Sequence, residues 1–261
     1  MTPETSGSLR RAASGPARTG VVLAAGFGSR LAGAVDETRL KPLTPVAGRP
    51  LIVRTLESLG RAGCGRVVIV LGYQPDAMRA GIEAAYDGPL DLVFVVNARY
   101  ELGNGVSVLA ARDHLAPDGG AGGPFVLTMA DHVIGDEVMD LAGAHTPEPG
   151  GATLLVDSKL VTIFDMDDAT KARVEDGRIV AIGKELEAFD AVDTGVFVCT
   201  DALLDALAAV EAETGDASLS DGVRRLAEAG RMRALDIGDG WWQDVDTPEM
   251  LAQAEAVLAA R

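Results

Sequence analysis

The chain has 261 residues, 48% of them hydrophobic, enough for one large α/β domain with a full core. A formal net charge of −16 would repel phosphate backbones and argues against nucleic-acid binding. No apolar run reaches the length of a membrane span, and the only two cysteines, Cys64 and Cys199, sit in or beside strand-like runs, as expected of free buried thiols in a reducing cytoplasm.

Residues 1–19 combine Ser, Thr, Pro and Gly with Arg10, Arg11 and Arg18 and lack an apolar stretch. They read as a disordered tail and not as a secretory signal. Val21 to Ala25 is an apolar run expected to form a buried parallel strand, and it ends in the glycine-rich GFG at Gly26 to Gly28. Leu51 to Ala62 reads as a helix, Val67 to Leu71 as a second strand, and a helix begins near Pro75 or Asp76. Leu92 to Val96 and Phe125 to Met129 are the third and fourth strands, separated by a helical stretch over Val106 to Leu115. This alternation predicts parallel strands covered by helices on both faces, with ligands outside the carboxyl ends of the strands. The second half changes character. Glu175, Asp176 and Gly177 mark a hairpin between Lys171–Val174 and Arg178–Ile182, Val192 to Cys199 is another strand, and helices follow at 201–210, 218–229 and 248–260.

The glycine loop carries the first chemistry. Gly26 and Gly28 permit backbone angles that turn successive N–H groups toward an anion. Arg30 adds a charged fork suited to phosphate oxygens, and Lys41 adds a compact point charge with Pro42 stiffening the turn behind it. No GK[ST] follows the glycines, so this is not a Walker A loop, and the glycine spacing fits a dinucleotide fingerprint poorly. Two segments end in carboxylates. Asp131 follows the fourth strand directly, and Asp244 and Asp246 precede the last helix. A pair of aspartates from distant parts of the chain beside a phosphate loop suits Mg²⁺, which takes few protein carboxylates. For Asp246 and Thr247 a helix cap is an equal alternative, since Pro248 follows.

LAAGFGSRL followed by KPLTPVAGRPLI resembles the nucleotidyltransferases that make activated sugars and alcohols, whose pattern is LAAGxGxRL and then KPL or KPM. With NGVSVLAAR (104–112), MADHVI (129–134), ATKARVEDGRIVAIGKEL (169–186), AVDTGVFVC (191–199) and WWQDVDTPEM (241–250), the chain is similar to the inositol-1-phosphate cytidylyltransferases over nearly all of 20–261. The resemblance implies a Rossmann-like, GT-A-like α/β fold with a mixed, mostly parallel sheet flanked by helices. It implies one domain over 20–261, with a nucleotide half at about 20–135 and an acceptor half at about 136–261. CTP would be held by Leu23, Ala24, Ala25, Gly26, Gly28, Ser29, Asn104, Gly105 and Ser107. Asp131 and Asp244 would bind Mg²⁺, with Asp246 standing where sugar-nucleotide enzymes usually carry Gly. Lys171, Lys184 and Asp193 would bind the phosphorylated acceptor. Arg30 would steady the leaving pyrophosphate and Lys41 would bridge the α-phosphate and the nucleophile. His132 reads as a supporting or packing residue, and Trp241 and Trp242 as core and pocket wall.

The acceptor remains open between inositol-1-phosphate, a phosphonate or other phospho-alcohol, and a sugar phosphate. A non-catalytic nucleotide sensor on the same fold is the alternative from another class, and a homodimer is left open. The sequence contains no membrane alcohol-phosphotransferase half, so a downstream step is expected from another protein.

Overall fold

The computed structural model describes residues 18–27, 40–116 and 123–261. Strand β1 (Arg18–Ala24) takes in Arg18 and Thr19, which had been expected in the tail; residues 1–17 lie outside the described part. The reason is local pairing. Thr19 sits in register with Arg66 and Phe125 on the two neighbouring strands, and the Arg18 guanidinium donates to the carbonyls of Ala142 (2.9 Å) and His145 (2.6 Å).

The chain continues through β2 (Pro45–Val46), β3 (Arg49–Pro50), α1 (Leu51–Arg61), β4 (Cys64–Leu71), α2 (Pro75–Ala85), β5 (Asp91–Val96), α3 (Asn104–Ala110), β6 (Phe125–Met129), β7 (His132–Ile134) and α4 (Asp136–Ala144). The second half adds β8 (Ala152–Asp157), the hairpin β9 (Lys171–Glu175) and β10 (Arg178–Gly183), β11 (Ala191–Cys199), α5 (Asp201–Thr214), α6 (Leu219–Glu228), β12 (Met232–Asp236), β13 (Trp242–Asp244) and α7 (Pro248–Ala260). Most expected elements appear within a few residues of their expected bounds. The stretch expected as one helix over Val106–Leu115 is instead α3, starting at Asn104, and a short 3-10 turn at Arg112–His114. Helix α4 and strand β12 had not been anticipated.

Side-chain alternation explains the layering. Val21 and Leu23 of β1 enter one core with Val68 and Val70 of β4, under α3, α5 and α6. Val22 and Ala24 enter the other with Val67, Ile69 and Leu71, under α1, α2 and α4. Successive strand residues point to opposite faces, so a continuous apolar run is what a sheet covered on both sides requires. Each such side chain taken fully out of water contributes roughly 1.5–3 kcal/mol before entropy is counted.

Helix ends follow their local signals. Pro75 and Pro248 stand at first helical positions, Thr247 accepts from the Met250 N–H, and Ser218 and Asp221 form a reciprocal capping box. Thr247, not Asp246, caps the last helix, which leaves Asp246 to the site.

The main sheet has nine strands among the described residues, in the order β5-β4-β1-β6-β11-β8-β12-β10-β9. Pairs β1–β4, β1–β6, β4–β5 and β8–β12 are parallel. Strand β11 runs antiparallel to both β6 and β8, and β10 antiparallel to β12 and β9. The expectation of a mostly parallel sheet therefore holds for the first half only; the second half returns through a hairpin. Strand β11 also pairs with β9, so this half curls into a small closed portion. The hairpin turn has Asp176 at φ 50° and Gly177 at φ 72°, the geometry that the Asp-Gly pair supplies.

Candidate active site

A cavity of about 510 Å³ opens at the carboxyl ends of β1 and β6. Leu23, Ala25, Gly26, Asn104 and Ser107 line it from the first half, and Lys159, Lys184 and Asp193 from the second. Asp131, Asp244 and Asp246 line it as well. The carboxylates meet because β13 pairs antiparallel with β7, placing Asp244 across from His132 and Gln243 across from Val133. The backbone N–H of Val245 then donates to the Asp131 carbonyl at 2.9 Å.

Buried Lys41, at the start of a 3-10 turn, donates to Asp131 Oδ2 at 2.7 Å and also to Asp246. Burial alone would lower its pKa, but the two carboxylates outweigh burial and the ammonium is held above its ordinary value. Asp131 is correspondingly held far below the usual carboxylate range: burial opposes this, and Lys41 and His132 overcome it. The other oxygen of Asp131 lies 2.7 Å from His132 Nδ1. Burial disfavours the charged imidazole, yet Asp131 and Asp244 raise its pKa. Asp244 behaves oppositely to Asp131. Burial and the neighbouring Asp246 and Asp131 charges raise its pKa, with His132 and Lys41 acting against them. Asp131 and Asp244 are the carboxylates that could hold a hard divalent cation such as Mg²⁺; Lys41 and His132 engage the two Asp131 oxygens, and among the described residues no group of three or more His, Cys, Asp or Glu side chains is arranged to hold a metal.

His132 stacks on Trp242 with ring centroids 5.8 Å apart and an interplanar angle of 14°. Gly195 makes this stack possible. Its φ is +75°, and a Cβ there would lie 2.7 Å from His132 Nε2. Two residues earlier, Asp193 Oδ1 accepts from the Gly195 N–H at 2.7 Å, and burial pushes the carboxyl up to about 6. Behind Trp242 lies Asp157, which accepts from the indole Nε1 (3.1 Å) and from Lys159 Nζ (2.8 Å).

The remaining expected site residues divide. Asn104 lines the cavity, but its Oδ1 accepts from the Leu219 N–H at 2.7 Å and so ties α3 to α6. Ser107 lines the cavity and accepts from Asn97 Nδ2 at 3.0 Å. Gly105 serves close packing: a Cβ there would meet the Ala217 carbonyl and Leu207 at 2.7 Å. Ala24 faces the core beneath α1. Lys184 lines the cavity and pairs with Asp168. Lys171 does not line it; its ammonium donates to the Lys184 carbonyl at 2.7 Å and lies 5.8 Å from the Phe189 ring. Gly28, Ser29 and Arg30 lie outside the described residues. Asp157 and Lys159 were missed, and Asp246, for which a helix cap was an equal alternative, lines the cavity as well. Asp157 ends an apolar strand just as Asp131 follows one, and that strand-end signal was available in the sequence.

Residues 20–229 match the family model described as the MobA-like NTP transferase domain. The chain belongs to the MobA-like NTP transferase family. This NTP transferase is 36% identical over 248 residues to the bifunctional IPC transferase and DIPP synthase of Rubrobacter xylanophilus, covering 91% of this chain and 51% of that protein. It is 34% identical over 254 residues to the CMP-5'-(3-aminopropyl)phosphonate synthase of Streptomyces rubellomurinus, covering 90% of this chain and 38% of that one. The chain thus spans about half, or less, of the length of these curated relatives. Among solved structures, the inositol-1-phosphate CTP transferase from T. maritima superposes with a TM-score of 0.77 at 25% identity, covering 92% of this NTP transferase and 97% of that chain.

Proposed function

We propose that this chain is a cytidylyltransferase that joins CTP and inositol-1-phosphate to give CDP-inositol and pyrophosphate. The observation that carries the reading is the similarity to the T. maritima inositol-1-phosphate CTP transferase along nearly the whole of that chain. The cavity composition supports it, since a glycine-rich strand end, a carboxylate cluster and two lysines share one opening.

The chemistry is in-line attack of an acceptor phosphate oxygen on the α-phosphorus of CTP; the new P–O bond forms as the bond to pyrophosphate breaks. A phosphate monoester is largely dianionic at neutral pH, its second pKa being about 6, so no general base is needed. Rate enhancement then comes from alignment and charge neutralisation. Asp131 and Asp244 would hold Mg²⁺, whose contribution when bound is to offset triphosphate charge. Lys41 fixes Asp131 and Asp246 in place and keeps a positive charge at the α-phosphate. Lys184 attracts the acceptor phosphate, and Asp193, when ionised, accepts from acceptor hydroxyls. Arg30 steadies the pyrophosphate. A single domain over 20–261 carries both halves of the reaction.

A second reading, a phosphonate acceptor, is favoured by the similarity to the phosphonate synthase. Pyrophosphate release from CTP and Mg²⁺ would be compared with inositol-1-phosphate, 2-hydroxyethylphosphonate and glucose-1-phosphate. Release with inositol-1-phosphate alone is expected. Release with the phosphonate alone would retain the nucleotide half and overturn the acceptor; no release with any acceptor or nucleotide would favour a non-catalytic sensor.

A further inference from the structure

Asp157 ends β8, and its side chain is 4% exposed. Its two oxygens do different things. Oδ1 serves the local turn, accepting from the Lys159 backbone N–H and from Lys159 Nζ, both at 2.8 Å. Oδ2 accepts from Trp242 Nε1 at 3.1 Å, 85 residues further along the chain. The local turn does not need this second bond. It crosses between sheets: Asp157 belongs to the nine-stranded sheet, and Trp242 to the two-stranded ladder of β7 and β13, which also carries His132 and Asp244.

An indole has a single N–H, which can only donate, so this bond decides which edge of the Trp242 ring faces β8. Turning the ring over would take from the N–H and from a buried carboxylate oxygen the partner that each has now. The ring so held lies near-parallel to the His132 imidazole, at 5.8 Å and 14°. The Nε2–Cδ2 edge of His132 lies against Gly195, where a Cβ would come within 2.7 Å of Nε2 and 2.8 Å of Cδ2. Nδ1, across the ring from that edge, lies 2.7 Å from Asp131 Oδ1. Lys41 holds Asp131 Oδ2. Two contacts therefore set the plane of the Asp131 carboxylate, and one of them leads back to β8. We infer that Asp157 is a positioning residue: through the Trp242 indole it fixes the His132 ring, and through that ring the Asp131 carboxylate. The effect on turnover rests on the reaction proposed above; the effect on His132 does not.

Asp157→Leu keeps the branched shape and removes both acceptor oxygens. Trp242→Phe keeps a ring beside His132 and removes the N–H. Each variant and the double variant would be compared with wild type by steady-state kinetics and by NMR of the histidine ring protons. The chain has three histidines, and His132→Gln assigns the signal. Asp157→Leu should shift the His132 ring resonances, because the indole above them moves. Both single variants should cut kcat roughly tenfold or more, with KM for CTP within about twofold. In the Trp242→Phe background, Asp157→Leu should move neither His132 nor kcat further, because the link is already cut. Unshifted His132 resonances in folded Asp157→Leu overturn the inference, as do losses in kcat that multiply in the double variant. If Asp157→Leu does not fold, Trp242→Phe decides by kcat, and an unchanged value overturns the inference. Shifted His132 resonances alongside a wild type that does not turn over inositol-1-phosphate would support the positioning and sink that acceptor.

Discussion

Asp244 lies directly across the β7–β13 ladder from His132, whose ring nitrogen is bonded to Asp131. This one backbone register brings the last strand's carboxylate to Asp131 of the first half. The two acids nevertheless occupy opposite electrostatic situations: Asp131 is compensated by Lys41 and His132, whereas Asp244 is crowded by other carboxylates.

The contrast separates stability from activity. Asp131→Asn takes away one acceptor of buried Lys41, and breaking a buried ion pair costs about 3–5 kcal/mol. Asp246 still holds the ammonium and the Asp131 side chain is 33% exposed, so about 2 kcal/mol is expected here. Asp244→Asn removes a group whose folded pKa is raised, so it should not destabilise the metal-free protein at pH 8. Both variants should lose turnover by ~100-fold or more. Denaturation in EDTA and pyrophosphate release check this, and equal stability losses would refute the assigned electrostatics.

Asp193 gives a pH signature. Its folded pKa of about 6 lies above the unfolded value, so the folded state holds the proton longer. Its contribution to stability is therefore full below about pH 4 and lost as pH rises through about 6. Asp193→Asn should match wild type at pH 4 and exceed it by on the order of 2 kcal/mol at pH 8. Urea titrations across that range would show the divergence. Acceptor KM in wild type should fall over the same interval as the carboxylate appears, and the variant should keep only the part of that dependence that comes from the acceptor phosphate's own ionisation, whose second pKa is about 6.

Gly195→Ala tests the His132 stack. The residue combines a positive φ with a Cβ position 2.7 Å from the imidazole, so alanine adds backbone strain and displaces the ring. A loss of about 2–4 kcal/mol in stability is expected, with turnover falling further than protein yield. Nearly full activity would show that the ring's position is dispensable.

Lys184 and Lys171 should part company. Lys184→Ala should raise acceptor KM by roughly tenfold, while Lys171→Ala should leave it within about twofold, because the Lys171 ammonium is engaged by the hairpin backbone. Steady-state kinetics in acceptor concentration distinguishes them. The opposite order would return Lys171 to the acceptor site.

Much of this arrangement was legible in the sequence, but unevenly. Phe125–Met129, Pro248–Ala260 and the Asp176-Gly177 turn follow from local pattern, and the structure has them at those positions. Lys171 and Lys184 were assigned one role because they lie in one motif. The hairpin register sets Lys171 opposite Gly183, from where it reaches the Lys184 carbonyl and not the cavity. Asp246 read equally well as a helix cap until Thr247 was found to cap α7.

By itself, the sequence determined what depends on neighbours along the chain: apolar alternation, helix caps, turn glycines, and a strand ending at glycines. Tertiary structure alone decided what depends on distance through space. The antiparallel direction of β11 leaves no trace in its periodicity, since either direction buries the same faces. The meeting of Lys41, Asp131, Asp244 and Asp246 needs three separate segments and one cross-strand register.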